Sequence, residues 1–261
     1  MKPQSIASLN LLPEAEKAAI YRRFIPATLT ERFSIPFSFL DVQGLPLLDL
    51  RCHPGATDVA LSLRHRVDAQ DPVLYAHLTD TMNGQIHVLL YILNDPDSPR
   101  FDVDRMPDGT PTEFGALRRN IAAEAKAMRS GLTPGQVRQG LRLLRDSIAA
   151  FEEFVSGLGH DMYFVEPLYY HNAVIFERHG FSYQIGRKLM ERIHEGFQED
   201  GELARVLDGS TEFRGREHAN SIRGRSWAIY DGVLGAPYTQ VTMYKHVGLD
   251  GSVDTFPGGT W

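Results

Sequence analysis

Apolar and polar residues alternate along Val59–Val67 (VALSLRHRV) and again along Val73–Asp80 (VLYAHLTD). A period of two predicts strands with one buried face. Met82-Asn83-Gly84 follows as a turn, because Asn-Gly tolerates the positive φ of a tight hairpin, and QIHVLLYILND returns as the partner strand. DPDSP predicts a second turn and RFDVDRM (Arg100–Met106) a fourth, shorter strand with Asp102 and Asp104 on one face. The middle of the chain therefore reads as antiparallel sheet.

Elsewhere the period lengthens. Pro13 followed by EAEKAAIYRRFI predicts a helix with proline near its first turn and acidic residues where the macrodipole favours them. Residues 28–54, with Pro36, Gly44, Pro46 and Pro54, read as irregular with short strands. Glu113–Arg129 is rich in Ala and Leu and predicts a helix stopped by Gly131. The next helix is expected to open at Thr133-Pro134 and run to Ser156. Leu141, Leu144, Ile148, Phe151 and Phe154 recur three and four apart along it. MYFVEPLYY then predicts a buried strand and HNAVIFE a short helix before Gly180-Phe181. Beyond them lie a helix over Tyr183–Asp200 and a final hairpin from SWAIYDG and TQVTMYKHVG.

Composition narrows the classes. The chain has 261 residues, 43% apolar and 23% charged, enough for a large core in one big domain or two small ones. A net charge of −6 argues against a general nucleic-acid binder, which needs a basic excess. Cys52 is the only cysteine, so the chain has no internal disulfide and no thiolate-rich zinc site, in keeping with a reducing compartment. The longest apolar run, His87–Leu93, is far below the ~20 residues of a spanning helix. The first residues lack the apolar core of a secretory signal. The expectation is a cytoplasmic protein without membrane or nucleic-acid partners.

Two motifs carry a resemblance. GQVRQGLRLL (Gly135–Leu144) is similar to the Gln/Arg-x-x-Gly-x-Gly/Ala turn of the acyl-CoA N-acyltransferase (GNAT) superfamily, and FERHGF (Phe176–Phe181) to the Tyr-Glu-Lys-x-Gly-Phe that ends its last common helix. Residues 59–183 resemble the family in element order: antiparallel strands, glycine turn, helix, strand, short helix. The resemblance implies a mixed, mainly antiparallel central sheet flanked by helices. Residues 1–58 precede that core, and residues 184–261 extend it as a helix and hairpin. It also implies that backbone amides hold the pyrophosphate of acetyl-CoA or another acyl-CoA, with Gly135, Gln136, Val137, Arg138, Gly140, Arg142 and Asn172 as the cofactor-binding positions. A homodimer follows by analogy. Three positions depart from the pattern: Val137 stands where Arg or Gln leads the turn, Arg142 where a second small residue belongs, and Phe176 where the family often has the tyrosine that protonates the thiolate.

Acyl transfer to an amine needs one proton removed from the ammonium and one delivered to the leaving sulfur. Glu166 is the candidate base, on the expectation that an apolar strand raises its pKa, and Tyr170 and His171 are the candidate acids, with Tyr183 behind them. A capped ordinary helix, aromatic packing and an edge-strand carboxylate are the structural alternatives for these residues. His160, His171, His179 and His194, with Glu166 and Glu177, suggest a weaker metal-enzyme reading, although none has the HExxH spacing. Arg214, Arg216, Arg223 and Arg225 form a basic cluster beside Trp227, read either as a grip for a small-molecule anion or as a solvated loop. Two functional classes follow: an acyl-CoA-dependent N-acyltransferase, or a catalytically silent ligand-binding protein of the same fold.

Overall fold

A computed structural model describes residues 4–112 and 118–261. Its elements are α1 (Ile6–Leu9), α2 (Glu14–Tyr21), α3 (Ala27–Arg32), β1 (Leu48–Arg51), β2 (Asp58–Leu63), β3 (Leu74–Asp80) and β4 (Ile86–Leu93). They continue as α4 (Ile121–Arg129), α5 (Leu144–Gly157), β5 (Met162–Val165), α6 (Tyr170–Glu177), β6 (Ser182–Ile185), α7 (Arg187–Gly196), α8 (Glu202–Val206), α9 (Ile222–Tyr230) and β7 (Thr242–His246). The chain is thus mixed α/β. The seven strands among the described residues form one sheet in the order β1-β2-β3-β4-β5-β7-β6, antiparallel from β1 to β4 and parallel between β4 and β5. It divides into two compact units. The first comprises residues 1–97, 140–166 and 244–250; the second comprises 98–139, 167–243 and 251–261.

In the first unit the predicted alternation is realised. Val59, Leu61 and Leu63 of β2 lie opposite Leu78, Ala76 and Leu74 of β3, and all six are buried. Helix α5 and the segment around α2 fill the core, where Phe24 meets Phe151 and Phe154 at 5.8 and 5.3 Å and Phe151 meets Tyr163 at 5.0 Å. Each such aromatic pair contributes about 0.5–1.5 kcal/mol beyond its buried area. The carboxylate of Asp80, at the end of β3, accepts the N–H groups of Ile6 and Ala7 at 2.7 and 2.9 Å and so caps α1 from a distant strand. Such a cap cannot be seen in local sequence.

Several predicted elements need correction. α3 occupies part of the stretch expected to be irregular, with Pro26 preceding its first turn. Arg100–Met106 forms no strand; its one ladder contact among the described residues is an isolated bridge from Arg105 to Pro111, and Arg100 binds the carboxylates of both Asp102 and Asp104. Residues 113–117 of the helix expected over Glu113–Arg129 lie outside the described residues, and α4 begins at Ile121, where the Asn120 side chain accepts the Ala123 N–H. The helix expected at Pro134 begins ten residues later, at Leu144. Tyr183–Ile185, expected to open a helix, lie in strand β6, and Gly186 in the left-handed region separates it from α7.

The final hairpin is absent, because SWAIYDG lies mostly in helix α9. Ser221 caps that helix by accepting the Gly224 N–H at 3.0 Å. Alternation misleads here because α9 is buried nearly all round, which removes the polar stripe that marks a surface helix. Trp227, wholly buried, stacks on Phe213 at 5.2 Å and donates its indole N–H to the Leu132 carbonyl. At Gly224 a Cβ would lie 2.6 Å from the His218 backbone, so only glycine lets these segments approach.

Candidate functional site

β4 pairs with β5 over only two positions, His87 with Phe164 and Val88 with Val165, and the Glu166 N–H then donates to the Val88 carbonyl at 3.1 Å. Pro167 follows, with no N–H to continue a ladder. On the other side β4 carries a bulge: His77 pairs with Leu90 and Leu78 with Val88, leaving Leu89 as the extra residue. β4 thus runs on to Leu93 beyond the end of its pairing with β5.

Helix α5 begins at this end of the first unit. Arg32 links the two segments, donating to Asp95 just after β4 and to the Leu141 carbonyl just before α5, both at 3.3 Å. Leu143 caps α5 without a side-chain bond, and the first N–H groups of the helix, from Leu144 to Asp146, have no acceptor among the described residues. Such a terminus attracts anions. Gly140 and Arg142 are exposed on its approach, and Arg142 holds a left-handed φ of +59°. The position where the resembled turn prefers a small residue is therefore one where the backbone favours glycine.

Glu166 is exposed where β5 ends, which corrects the apolar setting expected for it. Its charge reaches His87, whose pKa burial holds below the usual value while the carboxylate pulls it back up. Nε2 of His87 is shielded from solvent and has no hydrogen-bond partner among the described residues. The imidazole lies edge-on to Phe164 at 6.2 Å; Phe164 meets Tyr244 at 6.4 Å, and Tyr244 meets His246 at 5.6 Å.

The remaining predicted residues lie in the second unit and are engaged there. Gln136 Oε1 accepts both the N–H and the hydroxyl of Thr133 at 2.8 Å, the Val137 carbonyl accepts the Phe101 N–H at 2.8 Å, and Arg138 donates to the Ser98 carbonyl. Gly135 takes φ +80°, and a Cβ there would lie 2.5 Å from the Tyr169 ring. Asn172 accepts the Tyr169 N–H at 3.2 Å and so caps α6. Tyr170 is fully buried, and burial pushes its hydroxyl to about 12.

His171 is also buried. Its Nε2 lies 3.0 Å from the Thr133 hydroxyl and its Nδ1 2.8 Å from the Ser226 hydroxyl, and burial lowers its pKa to about 3. The ring is neutral at ordinary pH, with both nitrogens committed. Tyr183 donates to buried Glu177, which also takes the N–H and hydroxyl of Thr255 at 2.9 and 2.7 Å.

The basic cluster separates on inspection. Arg214 is held by Asp231, which also binds Arg119 at 2.9 Å, whereas Arg225 is buried with its guanidinium 3.7 Å over the Phe256 ring. His160 bonds the Gln4 carbonyl and His179 the Ile175 carbonyl. Among the described residues no three His, Cys, Asp or Glu side chains gather to hold a metal. No described helix is long and apolar enough to cross a membrane.

Sequence reading missed His87 and the bulge at Leu89. His87 begins the run HVLLYIL, which breaks alternation where the extra residue is inserted, and that break was the available signal. No protein-family model, curated protein or solved structure matches the chain.

Proposed function

We propose that this protein is an acyl-CoA-dependent N-acyltransferase of the GNAT superfamily, transferring an acetyl or other acyl group to an amine. The observation that carries the reading is the short parallel pairing of β4 with β5, which ends at Val88 and Val165 while β4 continues. An extended, amide-bearing thiol ester fits beside such a strand edge, because main-chain groups there have no strand partner on the β5 side among the described residues. The uncapped amides of α5, with Gly140 and Arg142 on their approach, suit the pyrophosphate of the same ligand. Glu166, exposed beside the edge, supplies negative charge that attracts an ammonium acceptor.

Within this proposal Gly140 and Arg142 keep their cofactor-binding roles, and Glu166 stays at the site as the charge that draws the ammonium acceptor. Gln136, Arg138 and Asn172 receive no cofactor role and His171 no acid role, because their side chains are already bonded; Gly135, Val137 and Tyr170 carry no role in this proposal. A catalytically silent protein that binds the same ligand is the second reading. Phe176, packed on Phe181 at 4.9 Å, favours it by replacing a proton donor with a hydrocarbon ring.

The test is a thermal shift with acetyl-CoA and CoA, followed by thiol release over a panel of primary amines. Binding to the native state at a hundredfold excess over Kd stabilises by about 2.7 kcal/mol, so a clear rise in Tm is expected. No shift at millimolar CoA removes both readings. A shift without amine-dependent thiol release selects the silent one.

A further inference from the structure

We infer that His87 is the group that takes the proton from the attacking amine, with Glu166 acting through it as a positioning residue; the inference rests on the acyltransfer reading above. His87 sits opposite Phe164 on β5 and Thr79 on β3, one residue before the β4–β5 ladder ends. Its backbone is thus held from both sides next to the point where the ladder with β5 ends, and its ring meets Phe164. A shielded ring nitrogen with no partner among the described residues is a cost to the fold. Such an unsatisfied atom is tolerated where a ligand completes it.

The surrounding charges select this histidine. On β2, Asp58 lies opposite Thr79 and is 3.5 Å from Nε2 of His77, so His77 already has its carboxylate. Just past the end of β5, Glu166 is the charged group that reaches His87, and beyond Phe164 lie Tyr244 and exposed His246 on β7. Burial keeps His87 neutral near pH 7 and ready to accept a proton, and the Glu166 charge stabilises the imidazolium that results. Glu166 itself stands in water.

The step balances without a side-chain acid. His87 removes one proton from the ammonium. The freed amine nitrogen forms a bond to the thioester carbonyl carbon, giving a tetrahedral adduct. As the C–S bond breaks, the second nitrogen-bound proton passes to sulfur, yielding amide and thiol. The His87 imidazolium then returns its proton to solvent. Phe176 at the donor position is compatible with this route.

The experiment compares wild type, His87→Gln and Glu166→Gln, using acetyl-CoA with lysine amide, tyramine and spermidine as probe acceptors. Acetyl-CoA affinity is measured by calorimetry and kcat/KM is followed from pH 5 to 9. His87→Gln is expected to bind acetyl-CoA within twofold of wild type. It should lose about a hundredfold in kcat/KM at pH 7 and recover toward pH 9, where free amine is abundant. Glu166→Gln is expected to keep the acidic limb of the profile but move it to lower pH, since loss of the carboxylate removes the charge that raises His87. A wild-type failure to bind acetyl-CoA overturns the acyltransferase reading itself. Binding with no transfer to any probe amine overturns the assignment to His87, as does an unchanged pH profile in His87→Gln. So does loss of the limb in Glu166→Gln alone, which makes Glu166 the base.

Discussion

Two histidines, one in each unit, are both kept neutral by burial, and they differ in what their nitrogens meet. His171 has a hydroxyl on each side, Thr133 at 3.0 Å and Ser226 at 2.8 Å, while Tyr169 stacks on its face at 5.6 Å. His87 has a phenylalanine edge on one side and a nitrogen with no partner among the described residues. A lowered pKa alone therefore does not separate a structural histidine from a reactive one; the satisfaction of its hydrogen bonds does. The first satisfies a core, and the second lies at a strand edge where a ligand can complete it.

The largest expected effect tests the structural half of this contrast. The folded pKa of His171 is about 3 against an ordinary 6.5, so between those values the unfolded chain binds a proton that the native state refuses. Stability from this group is complete above pH 6.5 and falls as the pH drops toward 3. At 1.36 kcal/mol per unit, the loss is about 5 kcal/mol across that window. Buried Glu177 opposes it, because its pKa is raised and its protonation favours the folded state as pH falls. Urea unfolding of wild type and His171→Asn at pH 7, 5 and 4 isolates the histidine by difference. The variant should be less stable at pH 7 and show a much shallower acid loss. Parallel curves for the two proteins would mean that His171 is not held neutral by the core.

A second substitution tests how tightly that core is closed. Gly135→Ala combines a left-handed φ with a Cβ 2.5 Å from Tyr169, the ring stacked on His171. The backbone penalty of about 1–2 kcal/mol and an overpacking penalty of about 1–3 kcal/mol together predict a loss of roughly 2–5 kcal/mol. Gly44→Ala is the matched control in the first unit: its φ is also +80°, but nothing lies within 4 Å, so only the backbone penalty of about 1–2 kcal/mol applies. Chemical denaturation of both variants reads the difference. Equal losses would show that Tyr169 yields without cost and that the turn is looser than its packing implies.

Part of this contrast was legible in the chain and part was not. Strands β2, β3, β4 and β5 follow from alternation and from the Asn-Gly turn, because each buries one face or both and the period survives in the sequence. Helix α9 did not, since a helix buried all round has no stripe to read. The turn at Gly135 stands out in the sequence by its glycine, but the contact that demands glycine there is the ring of Tyr169, a residue 34 positions away. Glu166 was singled out from its strand, whereas His87 was passed over because its environment depends on where β5 stops beside β4. Local pattern fixes periodicity; tertiary register decides which polar groups are left unsatisfied.

The smallest expected effect concerns the other end of that strand edge. Arg142 holds φ +59° on an exposed approach to α5, a conformation that penalises a non-glycine residue by about 1–2 kcal/mol. Arg142→Gly relieves this but adds unfolded-state entropy, so the net gain is about 0.5 kcal/mol. Arg142→Ala keeps the backbone penalty and should not gain. Both variants lose the guanidinium, so under the proposed function both weaken acetyl-CoA binding by about tenfold, in the range of one charge-assisted hydrogen bond. The pair thus separates backbone from charge: Tm should distinguish glycine from alanine, while calorimetric affinity should not. If affinity instead rises in both, the side chain obstructs the approach to α5, and the phosphate is held by main-chain amides alone.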